Sequence, residues 1–365
     1  MPFLLLVSCL FFLSFGKMFA EQSDSIVSGR GIFVIPHASY QPETSWAPGI
    51  AYGFYFPSND ISRISSISGS AVYTFRRQFI FNTTPRLFFS DNKWFLFSNI
   101  NFRNFPDYFF GIGNEKTEIE EAFTTRFFSI LLQPQYELRE NFFVGANFSA
   151  RTERARTNFG SVEMEQHIFD TFGTTGWSPY HNTSVGGVAT FDSRDNFFYP
   201  FRGTFLKTAF GFSRAGWAST YSLQTFELDF RKYVPISFFD EHVFAFQFKF
   251  DGIFGDEIPF QLLPTLGGAD LLRGFRQGQY RENVLLATQA EYRFPIFRRL
   301  KASIFCAMGD VYNSRNFQLN NTMKFAYGVG LRYRLNDARV HLRVDIARNN
   351  FGDGWQFYIT ATEAF

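Results

Sequence analysis

The stretch that decides the fold is the end of the chain, residues 355–365, which reads WQFYITATEAF. Its alternate residues from Trp355 to Ala361 are apolar, and they would share one face of a strand because strand side chains alternate with a period of two. The last residue, Phe365, is aromatic and continues this parity. Such a final strand is typical of outer-membrane β-barrels. We therefore predict that Trp355, Phe357 and Phe365 mark a terminal strand that the outer-membrane assembly machinery recognises.

The composition of the chain excludes most other classes. Its 365 residues include 54 Phe, 16 Tyr and 5 Trp, whereas only 19% are charged, which is too aromatic for an ordinary soluble domain. A membrane protein built from helices would need unbroken apolar blocks of about 20 residues, and the sequence has none after residue 20. The aromatic residues are instead spread through short, polar-interrupted segments, as expected for a transmembrane barrel.

Alternation along two further segments indicates which face is apolar. In residues 242–251, phenylalanine occupies every even position from Phe244 to Phe250, whereas the odd positions include Gln, Lys and Asp. In residues 323–335, the odd positions are apolar or aromatic and the even positions are Lys, Arg, Ala or Gly. A soluble sandwich would bury the apolar face and protect its sheet edges. A closed barrel in lipid turns aromatic residues outward and charged or small residues into a wet lumen, and the sequence favours this second interpretation.

The same alternation predicts sixteen strands, an even number as expected for a bacterial barrel. They are predicted near 29–37, 48–57, 68–75, 78–89, 93–103, 125–138, 141–153, 183–192, 203–214, 220–233, 241–252, 284–295, 301–312, 323–335, 339–348 and 355–365. The fold class is therefore all-β, a sixteen-stranded antiparallel transmembrane β-barrel. Long connections are predicted at 104–124, 154–182 and 253–283, where function is expected.

The beginning of the chain resembles a targeting segment. An apolar run from Phe3 to Phe15 is followed by a small residue, Ala20, and then by a polar stretch. Residues 1–20 are therefore predicted to be a signal peptide, and residues 21–365 the barrel. The mature chain would hold one cysteine, Cys306, so no internal disulfide is expected. Without a cluster of cysteines or histidines, we expect neither a metal nor a cofactor.

The predicted loop 253–283 contains the most specific motif, LGGADLLRGFR at residues 266–276, with Leu272, Arg273, Gly274 and Phe275 in it. Four more segments accompany it: FPDYFFGIGN (105–114), GGVATFDSRDNFFYPFRGTF (186–205), NVLLATQAEYRFPI (283–296) and KASIFCAMGDVYN (301–313). Together with Phe365, these segments resemble the BamA/TamA superfamily of outer-membrane assembly and secretion barrels, also called bacterial surface antigens. The resemblance covers nearly all of the chain after the signal peptide.

This resemblance implies a sixteen-stranded barrel whose extracellular loop, here 253–283, folds back into the lumen. In the family, the tip of that loop is held by acidic residues on nearby strands, and Arg273 lies at the tip in this chain. By parity, Glu291 faces the lumen, so it is the first candidate partner for Arg273. A guanidinium and a carboxylate can form two charge-assisted hydrogen bonds, which fix both the position and the orientation of a loop.

The chain departs from the family pattern in the next strand. The motif usually reads aromatic, any residue, Asp, any residue, Gly, and here it runs from Phe305 to Gly309 with Ala307 in place of the acid. Asp345 has lumen parity in its own strand and is the second candidate partner. Asp310 is the third, because in a regular strand it points to the opposite face and only a bulge at Gly309 would redirect it.

The resemblance also predicts a function. Better-known members carry periplasmic polypeptide-transport repeats or a lipase-like domain ahead of the barrel, and residues 21–60 are too few for one such repeat, so a member without these repeats is expected. The favoured hypothesis is a bacterial outer-membrane barrel that takes part in the insertion or translocation of proteins, or of lipid. Its expected partners are outer-membrane lipid and a client or secreted polypeptide. The alternative is a passive porin-like or structural barrel.

Two other classes are disfavoured. An acyl-transfer enzyme would need a nucleophile with an oriented base, and the sequence has no Gly-x-Ser-x-Gly elbow and five scattered histidines, so the protein is predicted not to be an enzyme. A nucleic-acid-binding protein would need a coherent basic patch. The net charge is +2 and basic residues are distributed along the predicted lumen faces, so no nucleic-acid partner is expected.

Overall fold

The computed structural model describes residues 31–41, 45–57, 63–74, 78–117, 119–157, 166–168, 171–315, 323–336, 339–361 and 363–365. The predicted signal peptide lies outside these residues and stays a prediction. None of the helices in these residues has the length and hydropathy of a membrane-spanning segment.

Antiparallel strands form the wall of the protein, because segments with period-two alternation are separated by turns. In the described part of the chain the wall has sixteen strands: β1 (Gly31–Gln41), β2 (Ser45–Pro57), β3 (Ile64–Tyr73), β4 (Phe79–Phe89), β5 (Trp94–Phe109), β6 (Glu121–Arg139), β7 (Phe142–Thr157), β8 (Tyr180–Asp192), β9 (Gly203–Ser213), β10 (Leu223–Pro235), β11 (Val243–Phe254), β14 (Val284–Phe297), β15 (Leu300–Tyr312), β16 (Lys324–Arg334), β17 (His341–Asn349) and β18 (Trp355–Ala361). Two short strands, β12 (Thr265–Leu266) and β13 (Tyr280–Arg281), pair with each other in the connection between β11 and β14. The predicted sixteen-stranded antiparallel fold is confirmed.

The wall closes into a barrel with two different ends. At one end the turns are short, such as 140–141 between β6 and β7 and 298–299 between β14 and β15. At the other end the longest connections are 110–120, 158–179, 255–283 and 313–323. We call these the short-turn end and the long-loop end. In barrels of this class the short turns are periplasmic and the longer loops are extracellular.

The strands that close the barrel are unequally paired. β1 pairs with β2 along its whole length, from Gly31 opposite Tyr55 to Gln41 opposite Ser45. Within the described residues, β1 pairs with β18 at one position only, Tyr40 opposite Ile359. We call the contact between β1 and β18 the seam. Among the described strands the seam is therefore the least paired junction in the wall, and unpaired strand edges are costly in lipid.

The faces of the wall are inverted relative to a soluble protein, as predicted. On β16 the outward residues Phe325 and Val329 are 42% and 51% exposed, whereas the inward residues Lys324 and Arg332 are fully buried. This arrangement turns apolar side chains toward lipid and leaves the charged ones to be paired within the lumen.

The connection 255–283, which we call the lumen loop, fills part of the barrel interior. It contains a 3₁₀ turn at Phe260–Leu262 and the hairpin β12–β13. The side chains of Leu272 and Phe275 are fully buried, in a cluster with Leu285, Ala307 and Val311 of the barrel wall. The prediction that this loop folds into the lumen is confirmed.

The prediction that the terminal strand runs to Phe365 is wrong, because β18 ends at Ala361. Beyond this strand, Glu363 accepts a hydrogen bond from Arg332 (Nε to Oε2, 3.2 Å), and the main-chain oxygen of Phe365 accepts one from Arg293 (3.1 Å). The ring of Phe365 is buried against Tyr233, Val243 and Ala245. Contacts with lumen cations therefore replace the continued lipid-facing strand, whereas Trp355 remains outward and 57% exposed.

Candidate functional site

The tip of the lumen loop turns sharply at the predicted motif. Leu272 has φ 47° and Gly274 has φ 116°, and the second value is one that glycine adopts without strain. The turn is closed by a hydrogen bond from the Phe275 N–H to the Leu272 carbonyl (3.2 Å). This conformation leaves Arg273 at the apex, with its side chain directed at the barrel wall.

Arg273 contacts two carboxylates on different strands. Its Nη1 donates to Asp345 Oδ2 on β17 (2.6 Å), and its Nη2 donates to Glu291 Oε2 on β14 (2.8 Å). The guanidinium carbon lies 3.4 Å from the centre of the Phe305 ring on β15. Arg273 is 1% exposed, so the ion pairs and the ring replace the water that the guanidinium loses. The structure thus brings the first two predicted acidic residues to Arg273.

Arg332 on β16 contacts the same two carboxylates from the wall. Its Nη1 donates to Asp345 Oδ1 (2.6 Å) and its Nη2 donates to Glu291 Oε1 (3.0 Å). Each carboxylate is therefore shared between an arginine of the loop and an arginine of the barrel. Charge-assisted bonds of this kind are among the strongest side-chain contacts and restrict geometry on both sides.

The whole ion network is balanced in formal charge. Four arginines meet four carboxylates through the contacts of the described residues: Arg273, Arg293, Arg332 and Arg343 with Asp270, Glu291, Asp345 and Glu363. Only Asp270 is open to solvent, and the other seven side chains are at most 3% exposed. Removal of one member leaves a buried charge without its full compensation, which is the costly case for a buried ion pair.

The backbone of the tip is held by the strands beside the seam. Tyr358 on β18 accepts a hydrogen bond at its hydroxyl from the Gly274 N–H (3.0 Å). Asn349 on β17 donates its Nδ2 to the Gly274 carbonyl (2.8 Å). Together with Asp345, these contacts connect the tip to the last two strands of the barrel.

A second cluster holds the start of the lumen loop at the long-loop end. We call it the cap cluster, and it consists of Phe109, Phe123, Ile168, Trp177, Phe260 and Leu263. The ring of Phe260 lies 4.4 Å from Trp177 and 5.2 Å from Phe109, measured between ring centres. The ends of β5 and β6, together with Ile168 and Trp177 of the connection 158–179, are thereby packed against the lumen loop by apolar contact.

Asp310, the third predicted acidic residue, does not contact Arg273. Its Oδ1 accepts from Lys324 Nζ (2.6 Å), and Lys324 also donates to the main-chain oxygen of Asn114. No register shift marks Gly309 in the pairing of β14 with β15. The prediction that Asp310 holds the tip is therefore wrong. Asp310 instead pairs with the inward-pointing Lys324, and Lys324 links it to Asn114 in the connection 110–120.

The surroundings of Ala307 agree with the predicted departure from the family pattern, because this position packs in an apolar cluster and carries no acid. Its side chain is 4% exposed and lies in the apolar cluster with Leu272 and Phe275. The carboxylate expected near this place comes from Asp345, which approaches Arg273 from β17. The second carboxylate at Arg273 thus comes from β17 and not from position 307 of β15.

Sequence reasoning missed three further kinds of residue in the site. The alternation in residues 323–335 places Arg332 in the lumen but does not distinguish it from the other lumen-facing cations. No sequence pattern indicates a role for Tyr358 or Asn349. Gly330 was also missed, although a Cβ built there would overlap Arg332 Nη1 and Asp345 Oδ1. A glycine on the inward face of a strand, two residues before an arginine, was the available signal, since it marks a place where another group approaches the backbone.

Comparisons with solved structures agree with this architecture. The chain is similar to BamA from Haemophilus ducreyi lacking POTRA domains 1–3, with 13% identity, a TM-score of 0.59, and coverage of 92% of this chain and 70% of that one. It is similar to CdiB from Acinetobacter baumannii, with 11% identity, a TM-score of 0.55, and coverage of 92% of this chain and 59% of that one. It is also similar to CdiB from Escherichia coli, with 10% identity, a TM-score of 0.57, and coverage of 91% of this chain and 67% of that one. At these identities the likeness concerns the fold. A comparison with curated protein sequences gives no match.

The fold and the site define a class, the sixteen-stranded barrels whose lumen holds an arginine-tipped loop. The family follows from a match of the amino-acid sequence to a family model. The model of the Omp85 superfamily domain matches residues 64–365, which is most of the chain. The protein therefore belongs to the Omp85 superfamily, and its resemblance to the BamA/TamA barrels is confirmed.

Proposed function

We propose that this protein is a bacterial outer-membrane barrel that inserts or exports polypeptides, and that the client passes at the seam between β1 and β18. The observation that carries the proposal is the seam itself, which pairs at the single described position Tyr40–Ile359. Neighbouring strand pairs run the length of their strands, as in β17 with β18 from Leu342–Ala361 to Arg348–Trp355. Enzymatic activity is not part of the proposal.

An incompletely paired seam suits a client that arrives as an extended chain. Strand edges in the wall carry N–H and C=O groups that need partners in lipid. An extended polypeptide can supply those partners by adding a strand to the edge, a general mode of peptide binding. The same edge in a fully paired barrel would be closed to such a client.

The lumen loop supports this proposal because it holds the strands beside the seam from inside. Its tip contacts Asp345 and Asn349 on β17 and Tyr358 on β18. A change in the position of the tip would therefore move the edge that a client meets. The buried side chains of Leu272, Arg273 and Phe275 also occupy the lumen, which a passive porin would keep open for solutes.

The test is a reversible staple across the seam. Cysteines at Tyr40 and Ile359, in a Cys306→Ser background, replace residues that face each other in register. Directly paired antiparallel residues have Cα atoms about 4.5–5.5 Å apart, which suits a disulfide. When the disulfide is formed, we expect lower amounts of the outer-membrane or secreted proteins that depend on this chain in its native host, as measured by quantitative mass spectrometry. Cleavage of the disulfide with a thiol should restore these amounts.

A matched staple elsewhere in the wall controls for the disulfide. Cysteines at Val329 and Ile346 join two outward, directly paired residues of β16 and β17, which stay together in the proposed mechanism. This control should leave the protein levels unchanged. Equal levels with the seam staple open and closed would refute the proposal, and altered solute conductance in that case would favour the porin-like alternative.

A further inference from the structure

The outer surface of β6 and β7 carries three arginines at the long-loop end. On β6 the even positions face outward, as Phe128, 45% exposed, shows. On β7 the even positions also face outward, and Phe148 is 44% exposed. Arg126, Arg154 and Arg156 have this outward parity, and all three are exposed. They therefore face the surroundings of the barrel and not its lumen.

The apolar band on the outer face of the same strands shows where the arginines lie along the membrane normal. On β6 the outward residues from Phe128 to Leu138 are apolar or aromatic without interruption. Ten residues of tilted strand at about 3.3 Å each span about 25 Å along the membrane normal, which is the thickness of the apolar band of such barrels. Arg126 is the next outward residue above Phe128. The arginines thus lie at the level of the lipid headgroups of the outer leaflet.

The arrangement of the three charges is unfavourable in the protein alone. Arg126 lies directly opposite Arg154 in the register of β6 with β7, and like charges in that position destabilise a strand pair. Arg126 lies 5.5 Å from the centre of the Phe102 ring. In the described part of the chain, none of the three arginines has a carboxylate within ion-pair distance. An anion from outside the chain would relieve the repulsion.

On the inward face of the same strands, by contrast, the arginine is paired with a carboxylate. Arg151 of β7 donates to Glu153 (Nε to Oε2, 2.8 Å), and Glu153 also accepts from Thr125 and Tyr180. The chain therefore supplies a carboxylate to the cation in the lumen and supplies none to the outward three.

Within the strands that the structure describes, the cluster is also concentrated in one part of the wall. The outward residues near the same end of four other strands are uncharged: Gln224, Phe254, Met308 and Phe325. On β17 a single arginine, Arg348, lies near the ring of Trp355. A general need for charge at the membrane surface would distribute cations around the barrel, whereas this distribution concentrates three of them on two neighbouring strands.

We propose that Arg126, Arg154 and Arg156 bind the phosphate groups of phosphorylated lipids in the outer leaflet. Guanidinium groups bind phosphate oxygens in bidentate fashion. The acyl chains of such a lipid lie against the apolar wall below, at Phe128 and Phe148. A glycolipid with two phosphates, such as lipid A, matches both the charge of the cluster and the leaflet it faces. This inference does not depend on the function proposed above.

The experiment measures lipid A binding to the protein in phosphatidylcholine nanodiscs, by native mass spectrometry across a lipid A titration. Each arginine near an anionic surface is expected to contribute about fivefold in affinity, so the variant Arg126→Gln/Arg154→Gln/Arg156→Gln should bind about a hundredfold more weakly. The control is Lys232→Gln, an exposed outward lysine at the short-turn end of β10, which should change affinity less than twofold. Heat-resistant migration in electrophoresis checks that each variant is folded.

Further arms separate the lipid from its phosphate. Removal of one phosphate from lipid A should weaken binding to the wild type and have little effect on the triple variant. Inorganic phosphate alone should not compete at millimolar concentration, because it lacks the acyl chains. Equal binding of lipid A by the wild type and the folded triple variant would overturn the proposal, and so would full displacement of lipid A by inorganic phosphate.

Discussion

The lumen loop is held at its tip by ion pairs and at its start by aromatic packing. At the tip, Arg273 meets Glu291 and Asp345 at 2.8 and 2.6 Å, in a site from which water is excluded. At the start, Phe260 lies among the rings of the cap cluster, 5.4 Å from Phe123 and 4.4 Å from Trp177. One loop therefore has a polar anchor and an apolar anchor.

The two anchors respond differently to small changes. Ion pairs are directional, and a buried charge that loses its partner is penalised strongly. Apolar packing is non-directional, and a side chain of similar volume can replace another with modest loss. The comparison indicates that the tip specifies one position beside the seam, whereas the cap cluster mainly keeps the connections at the long-loop end together.

The largest effect is expected from Arg273→Ala. The substitution leaves Glu291 and Asp345 buried with one fewer cation, although Arg332 still contacts both. Breaking a buried ion pair costs about 3–5 kcal/mol, and the remaining arginine favours the lower end of this range. We expect a loss of about 3 kcal/mol in the free energy of unfolding, measured by urea titration in lipid vesicles, and faster protease cleavage in the lumen loop.

Arg276→Ala is the matched control for this prediction. Arg276 lies three residues from Arg273 in the same loop, and its Nη1 donates to Glu120 (3.0 Å) on the surface. Surface ion pairs contribute about 0–1 kcal/mol. If the two variants unfold at the same urea concentration, the tip has no special anchoring role and the comparison fails.

An intermediate effect is expected from Gly330→Ala, which leaves every charge in place. The added methyl group would overlap Arg332 Nη1 and Asp345 Oδ1, so the network must shift. Overpacking in a tight interior costs about 1–3 kcal/mol. Gly31→Ala is the control, because the nearest atom to its added Cβ is Tyr55 Cδ2 at 3.8 Å. Equal stability of the two variants would show that the geometry of the network is tolerant and its directional character unimportant.

Much of the wall could be predicted from the sequence because lipid imposes a simple rule. Alternation with a period of two gave sixteen strands, and their number and order agree with the closed barrel. The rule failed after Ala361, where Glu363 and Phe365 keep the parity of a strand but contact Arg332 and Arg293 in the lumen. Parity reports which side a residue would face within a strand, and it contains no information on where the strand ends.

The site could be predicted only in part, for a related reason. Parity placed Glu291 and Asp345 in the lumen, and the structure brings both to Arg273. Asp310 ranked third because parity turned it to the opposite face unless a bulge at Gly309 intervened, and the structure pairs it with Lys324. Tyr358 reaches the Gly274 backbone across the lumen, and no local pattern indicates a contact between residues so distant in sequence. The functional role of these residues stays a prediction.

The smallest effect is expected from Phe260→Leu in the cap cluster. Leucine keeps most of the apolar volume, and substitutions of this kind usually cost less than about 1.5 kcal/mol. The matched change at the polar anchor is Arg273→Lys, which keeps the charge but cannot reproduce the planar fork that spans Asp345 and Glu291. We expect Arg273→Lys to lose more stability than Phe260→Leu in the same urea titration, although each substitution is conservative in chemistry. The reverse order would mean that packing, and not the direction of the ion pairs, positions the lumen loop, and the tip would then lose its proposed control over the seam.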